Sequence, residues 1–546
     1  MRTSYAKHLV IPALSSSFRN GTRILTALAV AAVGAAGCST GQGVRSGVAA
    51  ATPGSASSAG PVAAPKYPTT DPGIGPTSDS STAQTGQRPG DERSASSPVT
   101  AEQGAPPTYR VPVTSPPLPA TCTGVPARAT PRADRPRYTG NIALDPAAGR
   151  AGGGLAVHFT PDLPTDRLVF RLWPNGPNSA AVGVHLSVAG FLVDGVAPAS
   201  VTLPDATTVV VSLGRTLAAG QSVDASLGWA IALGTDSGDR VSHVGDTARL
   251  GSFLPLLAWV PGTGWALDPP TTAHGEASTF PHAIFDLGVS IPAGLTVLGT
   301  GLPATGASGG ASGATVALHA DAVPDIGLSI GRFRIASGTT RSGVPVTVGV
   351  APGIAEDPGA YLAKAVAVVD SFGPRFGAYP WPNYTLAITS TLKGGIEYPG
   401  HVMQGPGSIG RTTSHEIGHE YFYALVVNDQ GRDPWIDEAL ATWAEAAWEQ
   451  SLASLQAKSI PADAVGRAGL PMTYWDGHSA SYYRGVYVQG TQALARLGTP
   501  AAVDCALAEV VARYAYKIVG AADVVAVFRA RFPSTVDSAL HPAGLG

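Results

Sequence analysis

Charge is scarce in this chain of 546 residues: Asp, Glu, Lys and Arg make up 13 % of it, about half the usual share of about 25 %. The 35 basic side chains nearly balance the 38 acidic ones, leaving a net charge of −3. A nucleic-acid binder needs a basic excess and a charged disordered protein needs far more charge, so both are excluded, as is a coiled coil. Long apolar runs are missing too. Beyond the first 37 residues none reaches the 18 continuous positions a membrane-spanning helix requires. Segment 41–110 has no Leu, Phe, Trp or Met. It cannot bury enough apolar surface to offset its conformational entropy, so it is expected to be a disordered tether. What the chain holds in excess is Gly (67) and Pro (47). Its hydrophobic share of 44 % suffices for a sizeable core, and at about 150 residues per domain the length allows three or four units.

The first 37 residues have the layout of an export signal. Arg2, Lys7, Arg19 and Arg23 precede the apolar run 24–37, which is too short to span a bilayer. Around its end, Gly34-Ala35-Ala36-Gly37-Cys38 resembles a bacterial lipobox, in which the cysteine is acylated and becomes the new N-terminus. The expectation is an exported lipoprotein at the cell membrane or surface: residues 1–37 removed, Cys38 carrying the lipid, and 38–120 forming a Gly/Ser/Pro-rich tether. Cys122 and Cys505 are the remaining cysteines. In an exported chain two leftover thiols point to a disulfide, here one tying the start of the folded region to its C-terminal helices.

Residues 135–350 read as a β-rich domain. Short apolar runs at 168–173, 184–193, 209–211, 229–233, 284–291 and 346–348 alternate with Gly, Pro, Asp and Asn turn signals. The histidines there, His158, His185, His243 and His319, are scattered and read as surface or core residues. After Val350 the period changes. Asp357-Pro358 is a helix start, followed by Leu362, Val366, Val369 and Phe372 at helical spacing and a stop at Gly373-Pro374. A strand at 384–388 follows, and from about Thr412 the pattern is mainly helical. Residues 351–546 are therefore expected to form an α+β catalytic domain.

The chemistry concentrates in Ser414-His415-Glu416-Ile417-Gly418-His419-Glu420. Histidines at i and i+4 share one helix face and can both reach one metal ion, while Glu416 points at the same place as a general base. A catalytic zinc takes three protein ligands and keeps one position open. Eighteen residues separate His419 from Glu438, which lies in Trp435-Ile436-Asp437-Glu438-Ala439-Leu440-Ala441, just after the helix-start signal Asp433-Pro434. His415, His419 and Glu438 form a ligand set suited to one zinc ion.

HExxH-x18-E, with its third ligand in a W-x-x-E-x-x-A context, resembles the gluzincin aminopeptidases, the aminopeptidase-N-like zinc metallopeptidases. Gly394-Gly395-Ile396-Glu397-Tyr398 stands where that family carries its GxMEN strand, with Tyr398 in place of Asn. Phe376-Gly377-Ala378-Tyr379-Pro380-Trp381-Pro382 looks like the family's F-G-x-Y-P-W-P. Tyr482-Tyr483-Arg484-Gly485 resembles its Y-x-K-G, whose tyrosine hydrogen-bonds the transition-state oxyanion. Tyr487-Val488-Gln489-Gly490 is a competing match, so Tyr482 is preferred for its retained cation while Tyr483 and Tyr487 stay open. The resemblance implies a saddle-like antiparallel β domain followed by a thermolysin-like, mainly helical catalytic domain. It also implies that Gly394, Gly395 and Glu397 bind substrate, with Glu397 pairing with a free α-amine. The expected activity is zinc-dependent removal of N-terminal residues from peptides. A zinc endopeptidase, or a peptidase fold kept only for binding at the cell surface, are the alternatives.

Overall fold

A computed structural model describes residues 122–235, 239–272 and 279–546. The export signal, Cys38 and the whole of the tether lie outside the described residues. Among those described, no helix is long and apolar enough to cross a membrane.

The alternating runs become strands with one face buried. Ala283–Ile291 and Val223–Ala232 each bury every second residue, which aims one row of side chains at the core. They belong to a six-stranded sheet in the order Ala314–Val323, Ala283–Ile291, Arg137–Asp145, Arg150–Phe159, Val223–Ala232, His185–Val193. Its pairings are antiparallel except that between Arg137–Asp145 and Ala283–Ile291. A four-stranded sheet built on Thr165–Arg171 and Thr208–Leu217 shares one apolar core with it, including Leu155, Val157, Phe170, Val209 and Leu287. A third sheet contains Thr296–Gly299, Gly327–Gly331 and Thr247–Gly251. It packs against the catalytic part, where Ser329 Oγ lies 3.0 Å from His401 Nε2.

The catalytic part begins earlier than the sequence suggests. Arg334–Thr339 and Pro345–Val350, expected inside the β domain, are strands of the catalytic sheet, whose order continues with Tyr384–Ile388, His401–Gln404 and Gly395–Tyr398. Pro345–Val350 pairs in parallel with Tyr384–Ile388, and the helix Pro358–Phe376 makes the crossover. Local periodicity marks a strand but not its partner, so the boundary expected at 350 falls before Arg334. Tyr384–Ile388 and His401–Gln404 are buried on both faces, as central strands covered on both sides must be. The crossover helix starts as expected, with Asp357 Oδ1 accepting from Gly359 N at 3.0 Å. It does not stop at Gly373-Pro374. It runs to Phe376 and ends at Gly377, whose φ is 101°. Phe372 and Phe376 meet Tyr421 edge-on and Arg375 pairs with Asp504 at 2.8 Å, so tertiary contacts hold the last turn despite the missing proline N–H.

The remaining long helices are Trp435–Trp448, Gln489–Leu497, Pro500–Tyr514 and Ala521–Arg531. Cys122 and Cys505 are joined, with Cα atoms 5.0 Å apart across 383 residues of sequence. The chain just after Cys122 stays on the catalytic part. Ala129 N donates to Ala512 O at 2.8 Å and Arg128 to Ala378 O at 2.6 Å.

Candidate active site

The HExxH segment forms the helix Arg411–Gly418, with His419 continuing it in right-handed geometry at φ −66°. One turn apart, the two imidazoles bring His415 Nε2 and His419 Nε2 to 3.0 Å. Helix Trp435–Trp448 crosses this helix closely because the contact residues are small. A Cβ on Gly418 would sit 3.1 Å from Ala441 Cα. That closeness carries Glu438, on the first turn, to the histidines. Its Oε2 lies 3.1 Å from His415 Nε2 and 3.5 Å from His419 Nε2. A tetrahedral ion with bonds of about 2.0–2.1 Å separates its ligand atoms by about 3.3 Å, so the three donors fit zinc. Burial opposes charge on Glu438, yet His415 and His419 beside it hold its carboxyl well below the usual range.

Each ligand is fixed from behind. His419 Nδ1 donates to Phe422 O at 3.1 Å, which leaves Nε2 for the metal. His415 Nδ1 lies 3.4 Å from Glu445 Oε2, and Glu445 also pairs with Arg411. Glu438 Oε1 accepts from Tyr487 Oη at 2.6 Å. Glu445 escaped the sequence reading, although it stands seven residues, two helical turns, after Glu438 on the same helix face.

Glu416 is buried, and its Oε2 has no hydrogen-bond partner. Burial pushes its carboxyl up to about 8, against the pull of His415 and His419. The Gly395–Tyr398 strand lies over it at the sheet edge, and a Cβ on Gly395 would come within 2.4 Å of the Glu416 carboxylate. Gly395 is therefore a required glycine. Nothing lies within 4 Å of a Cβ on Gly394, whose carbonyl accepts from Gly405 N at 2.9 Å. Glu397 is half-buried. One oxygen of Glu397, one of Glu416 and one nitrogen of His419 lie within 4.8 Å of one another. Gln430 Nε2 donates to Glu397 Oε1 at 3.4 Å and to Asp437 Oδ2 at 2.9 Å, linking the strand acid to the helix that bears Glu438. Burial, then the charge of Glu438, pushes Asp437 up to about 8.

The three candidate tyrosines lie in different places. Tyr482, preferred from its motif, packs against Trp475 and meets Tyr487 edge-on at 5.5 Å. Its supporting cation, Arg484, turns outward and donates to Ser459 O at 2.7 Å. Tyr483 interacts with Arg411. Tyr487 is the one at the metal ligands, stacked on His415 at 5.6 Å and bonded to Glu438. The cause is a π-turn over Arg484–Val488, whose wider turn redirects the side chains relative to α-helical spacing. The decisive glycine is Gly490, where a Cβ would lie 2.4 Å from Ala439 Cβ. Only a glycine there lets the tyrosine helix approach the Glu438 helix so closely.

The two-part architecture, β sheets followed by an α+β unit with this constellation, is a zinc-peptidase fold. Solved structures share it. An M1 zinc metallopeptidase from Deinococcus radiodurans matches 76 % of this chain and 94 % of its own, at TM-score 0.53 and 18 % identity. A glutamate-to-alanine variant from the same organism, bound to a Tyr-Ser-Ala substrate, matches the same shares at TM-score 0.53 and 19 % identity. A two-domain M1 variant bound to L-arginine matches at TM-score 0.53 and 18 % identity. No protein-family model matches the chain, and no curated protein does. The fold is that of the M1 zinc metallopeptidases.

Proposed function

We propose that this protein is a zinc metallopeptidase that removes N-terminal residues from peptides. The convergence of His415, His419 and Glu438 donor atoms within 3.5 Å, with the Glu416 carboxylate beside them, carries this reading. When bound, zinc lowers the pKa of a water toward neutrality and polarises the scissile carbonyl. Glu416, whose Oε2 is unpartnered, takes the water's proton and delivers it to the leaving amine. Tyr487 Oη donates to the oxyanion as the tetrahedral state forms. Glu397 pairs with the substrate's α-ammonium, a charge-assisted contact that sets the first peptide bond over Glu416. The relatives solved with Tyr-Ser-Ala and with amino acids bound support a peptide substrate. The export layout of residues 1–38 supports placing the enzyme at the cell surface on a lipid at Cys38.

Glu416→Gln tests the assignment. Turnover is expected to fall by a factor of about 10² or more, with zinc stoichiometry unchanged. Undiminished hydrolysis by that variant rejects the base. Acetylated peptides test the end specificity: if the wild type cleaves them internally as fast as it trims free ones, Glu397 has no amine-binding role.

A further inference from the structure

The β domain reaches into the catalytic part at the loop that feeds the Glu397 strand. Arg249, on Thr247–Gly251 of the third sheet, is only 2 % exposed. Its Nε donates to Asp239 O at 2.8 Å, and its Nη1 donates to Ser390 O at 3.0 Å and to Thr391 Oγ1 at 3.1 Å. Burial pulls the guanidinium down to about 10, which leaves it a cation at neutral pH. The loop it grips is six residues long, between strands ending at Ile388 and starting at Gly395. Thr391 has φ 73°, the left-handed region that a β-branched side chain avoids. Such strain persists only where the surroundings impose it, and it gathers at sites of function. The next residue, Leu392, packs with Ile396, Tyr398 and Met403 beneath the strand that carries Glu397 and lies over Glu416. Tyr398 is itself wedged against the third sheet, since a Cβ on Gly251 or Gly327 would strike its ring or hydroxyl.

We propose that Arg249 is a positioning residue: by holding Thr391 in its strained conformation, it sets the height of the Gly395–Tyr398 strand and so the reach of Glu397 to the substrate's amine. This rests on the amine-binding role given to Glu397 above. A buried arginine is a costly way to tether a loop that an apolar contact could hold. Its rigid fork instead fixes direction, which a binding strand at a sheet edge requires.

Thr391 offers a test that separates positioning from stability. Thr391→Gly relieves the strain but removes the acceptor Oγ1. Thr391→Asn tolerates positive φ and offers Arg249 a new acceptor oxygen. On the zinc-loaded full chain, Thr391→Gly is expected to raise KM for free-amine dipeptides about tenfold, the loss of one charge-assisted contact. Its kcat, zinc content and thermal midpoint should hold, while Thr391→Asn should return KM to within about threefold of wild type. Arg249→Lys, which keeps charge and loses the fork, should follow Thr391→Gly in KM. Hydrolysis of acetylated peptides, which lack the amine, should not change. A merely structural role would make Thr391→Gly the best variant by both stability and KM. That ranking, or a wild-type KM in Thr391→Gly, overturns the proposal while leaving the peptidase reading intact. Equal handling of free and acetylated substrates by the wild type overturns the proposal together with the amine-binding role of Glu397.

Discussion

Tyr487 and Tyr482 are five residues apart and touch each other, and among the described contacts it is Tyr487 that bonds Glu438. Tyr487→Phe should therefore lower kcat by a factor of about 10²–10³, the usual cost of one lost oxyanion donor, with KM little changed. Tyr482→Phe should lower kcat far less, because its ring packs on Trp475 and Tyr487 and survives the change. Steady-state kinetics of the two variants decide, and a larger loss in Tyr482→Phe sinks the assignment. The contrast shows what the sequence could carry. His415 and His419 were legible because a helix fixes the i to i+4 direction, and Glu438 because a helix start places it on a first turn. Tyr487 was legible only as one of three candidates, because a π-turn breaks the rule that projects side chains from sequence. Gln430 and Arg249 were hidden for another reason. They reach the site from a loop and from another domain, and no local period encodes such contacts.

Two adjacent glycines make the same point for the edge strand. In Gly395→Ala the new methyl would be driven into the Glu416 carboxylate. Turnover should fall at least tenfold, by misplacing the base, with the fold retained. Gly394→Ala meets open space and should change stability by no more than about 0.5 kcal/mol and turnover far less than Gly395→Ala does. Comparing kcat and the urea midpoint of the pair checks this, and equal damage from both would mean the strand lies elsewhere. Most strands and helices were readable as elements, since alternation and 3.6-residue spacing survive in the chain. Their partners were not. Pro345–Val350 has the same local pattern as a β-domain strand, and only its parallel register with Tyr384–Ile388 shows which sheet owns it.

The β domain and the catalytic part meet at two buried, neutral histidines. His401 sits between Thr385 Oγ1 at 2.8 Å and Ser329 Oγ at 3.0 Å, and burial drives it down to about 3. His282 Nε2 donates to Ala424 O at 2.9 Å, and burial drives it down to about 4. A histidine with a depressed folded pKa binds its proton more readily once unfolded, so its contribution is whole above about 6.5 and erodes as pH falls. The buried carboxyls of Glu420 and Asp325, raised to about 8 and about 7 by desolvation, act in the opposite sense. The net slope is therefore best read by difference. His401→Gln should be less stable at pH 7, yet lose about 1.4 kcal/mol less per pH unit than wild type between pH 6 and 4. Urea unfolding at several pH values measures this, and parallel slopes would show that His401 does not titrate on unfolding. One covalent feature acts at this same reach. Because Cys122 is bonded to Cys505, everything between them is a closed ring. A protease that nicks any one peptide bond inside that ring opens it without releasing a fragment. The cut enzyme stays one molecule until a reductant arrives, and a clipped form would be visible only on a reducing gel.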